Sequence, residues 1–356
     1  MKFPRLICDL NKIKKNAKIV VSLAKRYNIS VTGITKVTCG NPNIAKAMVS
    51  GGVKIIGDSR IENIKRLKKE KIDTRYMLIR SPMISEIADV IKYADISLNT
   101  ELSVIKKLSN FAKKKNKRHK VILMVEMGDL REGILKEELS KFIDETLKFP
   151  NIELYGIGMN HACYGGVIPT QEKIEEFEDI VIKMERDKNI SFQMVSGGNS
   201  SIIPLLISGM KSKKINDIRI GEGIILGRET VNRKAFLNSH QDTFLLEGEI
   251  IELKDKPSLP SGQIGQDAFG NIPSFKDYGV ITRALLALGR QDTIFEDLIT
   301  EDGLEILGAS SDHLILYLKN RRYKVGDKIK FNLKYGALLR AFTSKYVKKI
   351  FVDYEE

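Results

Sequence analysis

From Leu10 to Gly221 the chain repeats one alternation, a short β-favouring run followed by a segment whose apolar residues recur at helical spacing. The β-favouring runs are Ile29–Thr35, VKIIGD (53–58), RYMLIR (75–80), DISLN (95–99), KVILMVEM (120–127), ELYGIGM (153–159), FQMVS (192–196) and NDIRIG (216–221). Around them lie segments such as Leu10–Tyr27, where Ile13, Ala17, Val20, Val21 and Ala24 share one face, and TQEKIEEFEDIVIKME. Eight such units predict an α/β fold, a (β/α)8 TIM-like barrel, whose reactive groups sit at the carboxyl ends of the strands. An open doubly wound sheet is the competing topology, but no GxGxxG follows the first run and no switch point is evident.

Those strand ends carry Lys36, Asp58-Ser59, Arg80, Asn99, Asp129 with Arg131, Asn160-His161, the run Gly197-Gly198-Asn199-Ser200-Ser201, and Arg219-Ile220-Gly221. Lys36 closes an apolar strand just before a polar, glycine-containing turn. Desolvation there favours the neutral amine of a Schiff-base nucleophile, while the bland alternative is a lysine that snorkels to water. GGNSS stands before an apolar helix, where free amides and two hydroxyls suit a phosphate, and RIGEG adds glycine amides after the eighth strand. Each run alone is a common glycine turn. Joined to a strand-one lysine, they describe a pocket for pyridoxal 5'-phosphate.

After Val231 the pattern changes to β-rich segments without intervening amphipathic helices: DTFLLEGEIIEL, YGVITRALLALG, GLEILGASSDHLILYL, VGDKIKFNLKYGALLRAF and KKIFVDY. The expected organisation is a cofactor-binding barrel over residues 1–231 and a mainly antiparallel β domain over 232–356, with residues 1–9 available to pair with the second domain. Residues 254–279, rich in Gly, Pro and Ser, read as a long loop, and loops of that length are often functional.

Composition narrows the function classes. The chain has 356 residues, 42% hydrophobic and 29% charged, as expected of a globular protein with more than one core. No apolar run reaches the roughly 18 residues that span a bilayer, the start lacks a signal-peptide apolar region, and three scattered cysteines fit a reducing cytoplasm. The formal charge of +14 comes from lysines spread over most helical segments, without a nucleic-acid motif, so a solvated basic surface is expected rather than nucleic-acid or membrane binding.

Taken together, TKVTCGNP, DSRIENIKRL, MGDLREGI, MNHAC, GGNSS, RIGEG, DAFGN, ALGRQD, GASSDH and YGALLRA resemble the alanine racemase family of pyridoxal phosphate enzymes, its ornithine racemase branch most of all. The resemblance covers nearly the whole chain. It implies a racemase interconverting L- and D-amino acids, ornithine first, and a homodimer with shared active sites. Alanine, lysine, broad-specificity racemisation and a non-catalytic cofactor-binding role are the alternatives.

By that resemblance Lys36 would form the internal Schiff base and act as one proton-transfer base. Arg219 would hydrogen-bond an unprotonated pyridine nitrogen, Arg131 would lie near the cofactor oxygen, and His161 would support the ring region. Asn199, Ser200, Ser201 and the amide of Gly221 would serve the phosphate. Asp267, Ser311, Asp312 and Tyr335 would face the substrate. Two departures matter. Gly40 stands where alanine racemases carry a tyrosine, which implies room for a longer side chain, and the family's second base has no clear counterpart near Asp267, Phe269 and Tyr278. Decarboxylase motifs (Gly-Gly-Gly, Cys-Asp-Gly) are missing. His313 has no second ligand two residues on, as metal-assisted relatives do, so no metal is expected. A carrier protein of this class would consist of the barrel alone.

Overall fold

The computed structural model describes residues 2–319 and 323–353. Contacts divide the chain into two compact units, Leu10–Thr243 and a second formed by the residues up to Asp9 with the chain from Phe244 onward. The first unit therefore extends past the expected boundary at Val231. Residues beyond it remain tied in, since Asn16 accepts from the His240 amide at 2.7 Å and Thr243 Oγ1 donates to the Ile225 carbonyl at 2.5 Å.

Strand β1 (Arg5–Asp9) belongs to the second unit. The first is a closed parallel barrel of β2 (Ser30–Ile34), β3 (Ile55–Asp58), β4 (Arg75–Leu78), β5 (Ile96–Asn99), β6 (His119–Met124), β7 (Ile152–Gly158), β8 (Met194–Ser196) and β9 (Asp217–Ile220). It closes where β2 pairs with β9, with Ser30 opposite Asp217 and Thr32 opposite Arg219. Four-residue strands such as IIGD and ISLN are buried at every position, because parallel strands are covered on both faces. Ile55, Met77, Ile96, Leu98, Ile122, Met124 and Met194 pack into one cluster drawn from five strands. Where β7 meets β8 the backbones approach so closely that a Cβ at Gly156 would lie 2.1 Å from the Met194 carbonyl oxygen.

In the second unit, β10 (Phe244–Pro257), β11 (Val280–Leu286), β12 (Leu298–Ile299), β13 (Leu304–Ala309), β14 (Leu314–Leu318) and β15 (Lys328–Leu333) form an antiparallel sheet in the order β12-β15-β10-β11-β14-β13. On its flank β1 runs antiparallel to β10 and parallel to β16 (Lys348–Val352). The sequence reading needs two corrections here. The loop starts only after Pro257, because 254–257 pairs with 280–283. YGALLRAF, read as β-rich, forms the helix Tyr335–Thr343, whose buried Ala337, Leu338, Ala341 and Phe342 recur at i, i+4 spacing. Among the described residues no helix is long and apolar enough to cross a membrane.

Leu6 is fully buried opposite Leu246. Leu6→Ala is expected to cost roughly 2–5 kcal/mol in urea unfolding. A loss under about 0.5 kcal/mol, the range of a surface substitution, would mean that β1 is not packed in the sheet.

Candidate active site

The lysine turn is built by hydrogen bonds on both sides of it. β2 ends at Ile34, and Lys36–Thr38 forms a single 3-10 turn. The Thr35 carbonyl accepts from the amides of Thr38 at 3.0 Å and Gly40 at 3.2 Å, which requires left-handed backbone at Cys39 (φ 50°) and Gly40 (φ 58°). The Thr35 hydroxyl donates to Asp58 Oδ2 at 2.8 Å, while Asp58 Oδ1 accepts from the Arg60 amide at 3.0 Å and Asn63 Nδ2 at 2.9 Å. Burial pushes the Asp58 carboxyl above the usual range, against these donors. Asn41 then caps the helix Pro42–Ser50, accepting from Asn43 N at 3.0 Å and Ile44 N at 3.3 Å. Lys36 projects from this braced turn half-buried, and among the described residues its amine has neither a hydrogen bond nor an ion pair.

The room expected at Gly40 is not there. A Cβ at that position would lie 2.6 Å from Asn63 Cβ, so Asn63 fills the direction a tyrosine would take.

Arg219 lies on β9, 5% exposed. Its guanidinium donates to the Ser196 hydroxyl and, at 2.7 Å, to the Met159 carbonyl. Burial pulls its pKa down to about 10, opposed by the charge of Asp217 two residues earlier. Asp217 accepts from Ser196 Oγ at 2.7 Å, Thr32 Oγ1 at 2.8 Å and Ser30 Oγ at 3.3 Å. Sequence reasoning placed Asp58 at a strand end but missed Asp217, Ser196 and Asn63. An acidic residue inside the apolar run NDIRIG was the available signal, since an aspartate is almost never fully buried without partners.

After β8 the glycine run bends at Gly198 (φ 116°), and Asn199 Oδ1 caps the Ser201 amide at 2.8 Å. Asn199 Nδ2 reaches Asn160 Oδ1 at 2.9 Å and the His161 carbonyl at 2.6 Å, so its amide braces the loops after β7 and β8. Ser200 Oγ accepts from the Gly223 amide at 3.1 Å, and Gly221 precedes the short helix Glu222–Ile225. Among the described residues, Ser201 Oγ and both ring nitrogens of His161 are buried without a hydrogen-bond partner. Burial lowers the His161 pKa, which keeps the ring neutral near neutral pH. Orphaned buried polar atoms are rare, and here they accompany a partnerless amine in one barrel, which is what a polar ligand binding at the strand ends would satisfy.

Arg131 lies in the loop after β6, ion-paired to Glu132 through both Nε and Nη2, and its Nη1 approaches Cys163 Sγ at 2.6 Å. Hydrogen bonding to Glu132 raises its pKa further. Arg131 and Glu132 both act electrostatically on Arg219, which sets the three charges in one neighbourhood. Asp129 is buried and engaged by the amides of Cys163 at 3.1 Å and Tyr164 at 3.0 Å.

The remaining candidates belong to the second unit. Asp267 Oδ1 accepts from the amides of Phe269 and Asn271, both at 2.9 Å, which holds its carboxyl below the usual range. Asp312 lies beside His313 Nδ1 at 2.9 Å, Ser310 Oγ at 3.1 Å and Ser311 Oγ at 3.3 Å. Tyr335 opens its helix half-buried, and Tyr278 donates to Glu305 at 2.5 Å. Among the described residues no group of three or more His, Cys, Asp or Glu side chains is placed to hold a metal ion.

Comparison with known proteins agrees with this architecture. The ornithine racemase of Acetoanaerobium sticklandii is 46% identical over 351 residues, covering 98% of this chain and 99% of that one. The lysine racemase of Thermotoga maritima is 41% identical over 353 residues, 99% of each. Among solved structures, the alanine racemase of D-cycloserine-producing Streptomyces lavendulae superposes with a TM-score of 0.76 at 14% identity, covering 100% of this chain and 98% of that one. The alanine racemase of Bartonella henselae with covalently bound pyridoxal phosphate gives 0.74 at 17%, covering 99% and 100%. These two likenesses concern the fold. The family described as alanine racemase, N-terminal domain, matches residues 8–228. With that match across most of the barrel and a relative 46% identical along nearly its full length, the chain belongs to the alanine racemase family.

Proposed function

We propose that this protein is a pyridoxal 5'-phosphate-dependent racemase interconverting L- and D-ornithine. The observation that carries the chemistry is the half-buried, partnerless amine of Lys36 at the carboxyl end of β2. The choice of ornithine rests on the near full-length relative that bears that name. When bound, pyridoxal phosphate supplies the electron withdrawal that makes the Cα proton of an amino acid removable.

The chain's own residues then have distinct tasks. Lys36 Nζ would hold the cofactor, and its amine would take or return the Cα proton on one face. Arg219, still cationic at neutral pH, would donate to the ring nitrogen and favour its unprotonated form, which would disfavour side reactions. Arg131, steadied by Glu132, would serve the ring oxygen. The neutral imidazole of His161 supports the ring region, where a cation would add a third positive charge. Ser201, with its free hydroxyl, serves the phosphate with Ser200 and the Gly221 amide, while Asn199 braces their loop.

The second base must stand on the opposite face of Cα. We assign that face to the second unit of a partner subunit, through Tyr335 or residues 258–279, with Ser311 serving the substrate carboxylate and Asp267 or Asp312 the side-chain ammonium. Leu259, Ile264, Phe269, Ile272 and Phe275, followed by Val280, are each at least 43% exposed, which is the kind of apolar surface that a second copy covers.

Chiral chromatography of L-ornithine, L-lysine and L-alanine incubated with protein and cofactor tests the reaction. D-ornithine is expected, with kcat/KM roughly 10–200-fold above lysine, the worth of one methylene in a fitted pocket. Alanine turned over best would overturn the assignment. Borohydride should fix the cofactor on Lys36, and a full-occupancy lysine adduct in Lys36→Ala would reject that residue. Light scattering should report a dimer, and a fully active monomer would exclude shared sites.

A further inference from the structure

Asp217 is a buried acid with no part in the chemistry above, yet its surroundings are fully specified. It is 1% exposed, and three hydroxyls converge on it, two from β2 and one from β8. Burial pushes its carboxyl above the usual range, opposed by the hydrogen bonds from Ser196 and Thr32 and by the charge of Arg219. A carboxylate only accepts, so Ser196 and Thr32 must donate to it, while Ser30 divides its one hydrogen between Asp217 and the Asn216 carbonyl at 2.9 Å. Ser196 has a single hydroxyl hydrogen. Spending it on Asp217 leaves the oxygen lone pairs for Arg219 Nη1, which is the bond observed.

We propose that Asp217 is the positioning residue for Arg219, acting through Ser196 to fix one edge of the guanidinium and so aim its remaining N–H groups, as a cation, into the barrel mouth. This rests on the racemase reading only for the identity of what Arg219 faces. The chain Asp217–Ser196–Arg219 holds one Nη group from the side, and the Met159 carbonyl holds the other at 2.7 Å. Two anchors on a planar group leave little rotation for it. An asparagine at 217 presents its amide N–H either to Thr32 or to Ser196, and in the second orientation Ser196 turns its own hydrogen toward Arg219 and the guanidinium loses its acceptor.

The charged groups that act on Arg219 are Asp217 and Glu132, which keep it protonated, and Arg131, which opposes them. Removing the charge of Asp217 leaves burial and Arg131 against Glu132 alone, so the Arg219 pKa falls and its alkaline transition moves to lower pH.

Three variants of the full chain separate positioning from mere structural support. Asp217→Asn and Ser196→Ala break the chain at its two links. Thr32→Val removes an equally buried donor to the same carboxylate without touching Arg219. The visible absorption of each cofactor-loaded protein is titrated upward from neutral pH, and crystal structures of the cofactor-free variants locate the guanidinium. Asp217→Asn is expected to bring the alkaline transition down and to move Arg219 from its place beside Ser196. Ser196→Ala should displace the guanidinium as well and stands in for Asp217→Asn should that variant fail to fold. Thr32→Val should lower thermal stability with the transition unmoved. An Arg219 that keeps its position and its transition in both chain-breaking variants overturns the proposal, as does a shift equally large in Thr32→Val. Wild-type protein that takes up no cofactor would reject the racemase reading, while the cofactor-free crystal structures would still decide this one.

Discussion

Closing a parallel sheet on itself forces its first and last strands together, and in this barrel one carboxylate occupies that seam. Asp217 of β9 receives Ser30 and Thr32 from β2 and Ser196 from β8. A buried charge costs several kcal/mol unless its lone pairs are filled, so the register of three strands becomes all-or-none around it. A slip of one residue would turn Asp217 to the other face of the sheet, away from all three donors. The same strands carry Lys36, the glycine run and Arg219. The geometry of the candidate site is thus inherited from the way the barrel shuts.

Charge at the barrel mouth is distributed unequally. The carboxylates near it are already engaged: Asp58 by a hydroxyl, an amide N–H and Asn63, Asp129 and Glu126 by backbone amides, Glu132 by Arg131, and Glu222 by Arg233. Lys36 is unpaired, and Arg219 is balanced through a hydroxyl rather than by direct contact with an acid. The net field favours an anionic ligand, as a phosphate ester and an amino-acid carboxylate both are.

What the sequence disclosed follows from the range of each interaction. The eight strands, the lysine turn and the glycine run are local patterns, carried by β-branched runs and turn residues within a few positions of one another, and they were legible. Asn63 lies on a helix after the next strand, so nothing within TKVTCG announces that it fills the space above Gly40. Asp217 meets Ser30 across the barrel seam, a pairing that exists only once the sheet has closed. YGALLRAF misled because Tyr, Leu and Phe are common to strands and helices alike, and its burial spacing emerges only against the sheet it covers. The unit boundary fell late for a related reason, because the Asn16 side-chain amide pairs with the His240 backbone through hydrogen bonds that composition does not register.

The arrangement of β1 has a consequence for how the molecule is made. Its five residues precede the barrel in the chain, yet their partners β10 and β16 both follow it. The barrel segment is continuous and is synthesised before either partner, with about 110 residues from Phe244 to Val352 still to come. At about 5–20 residues per second the remainder takes several seconds, longer than most small domains need to fold. Throughout that interval Leu6 and Cys8 wait without their sheet, so the nascent chain carries β1 unpaired until β10 and β16 have both been made.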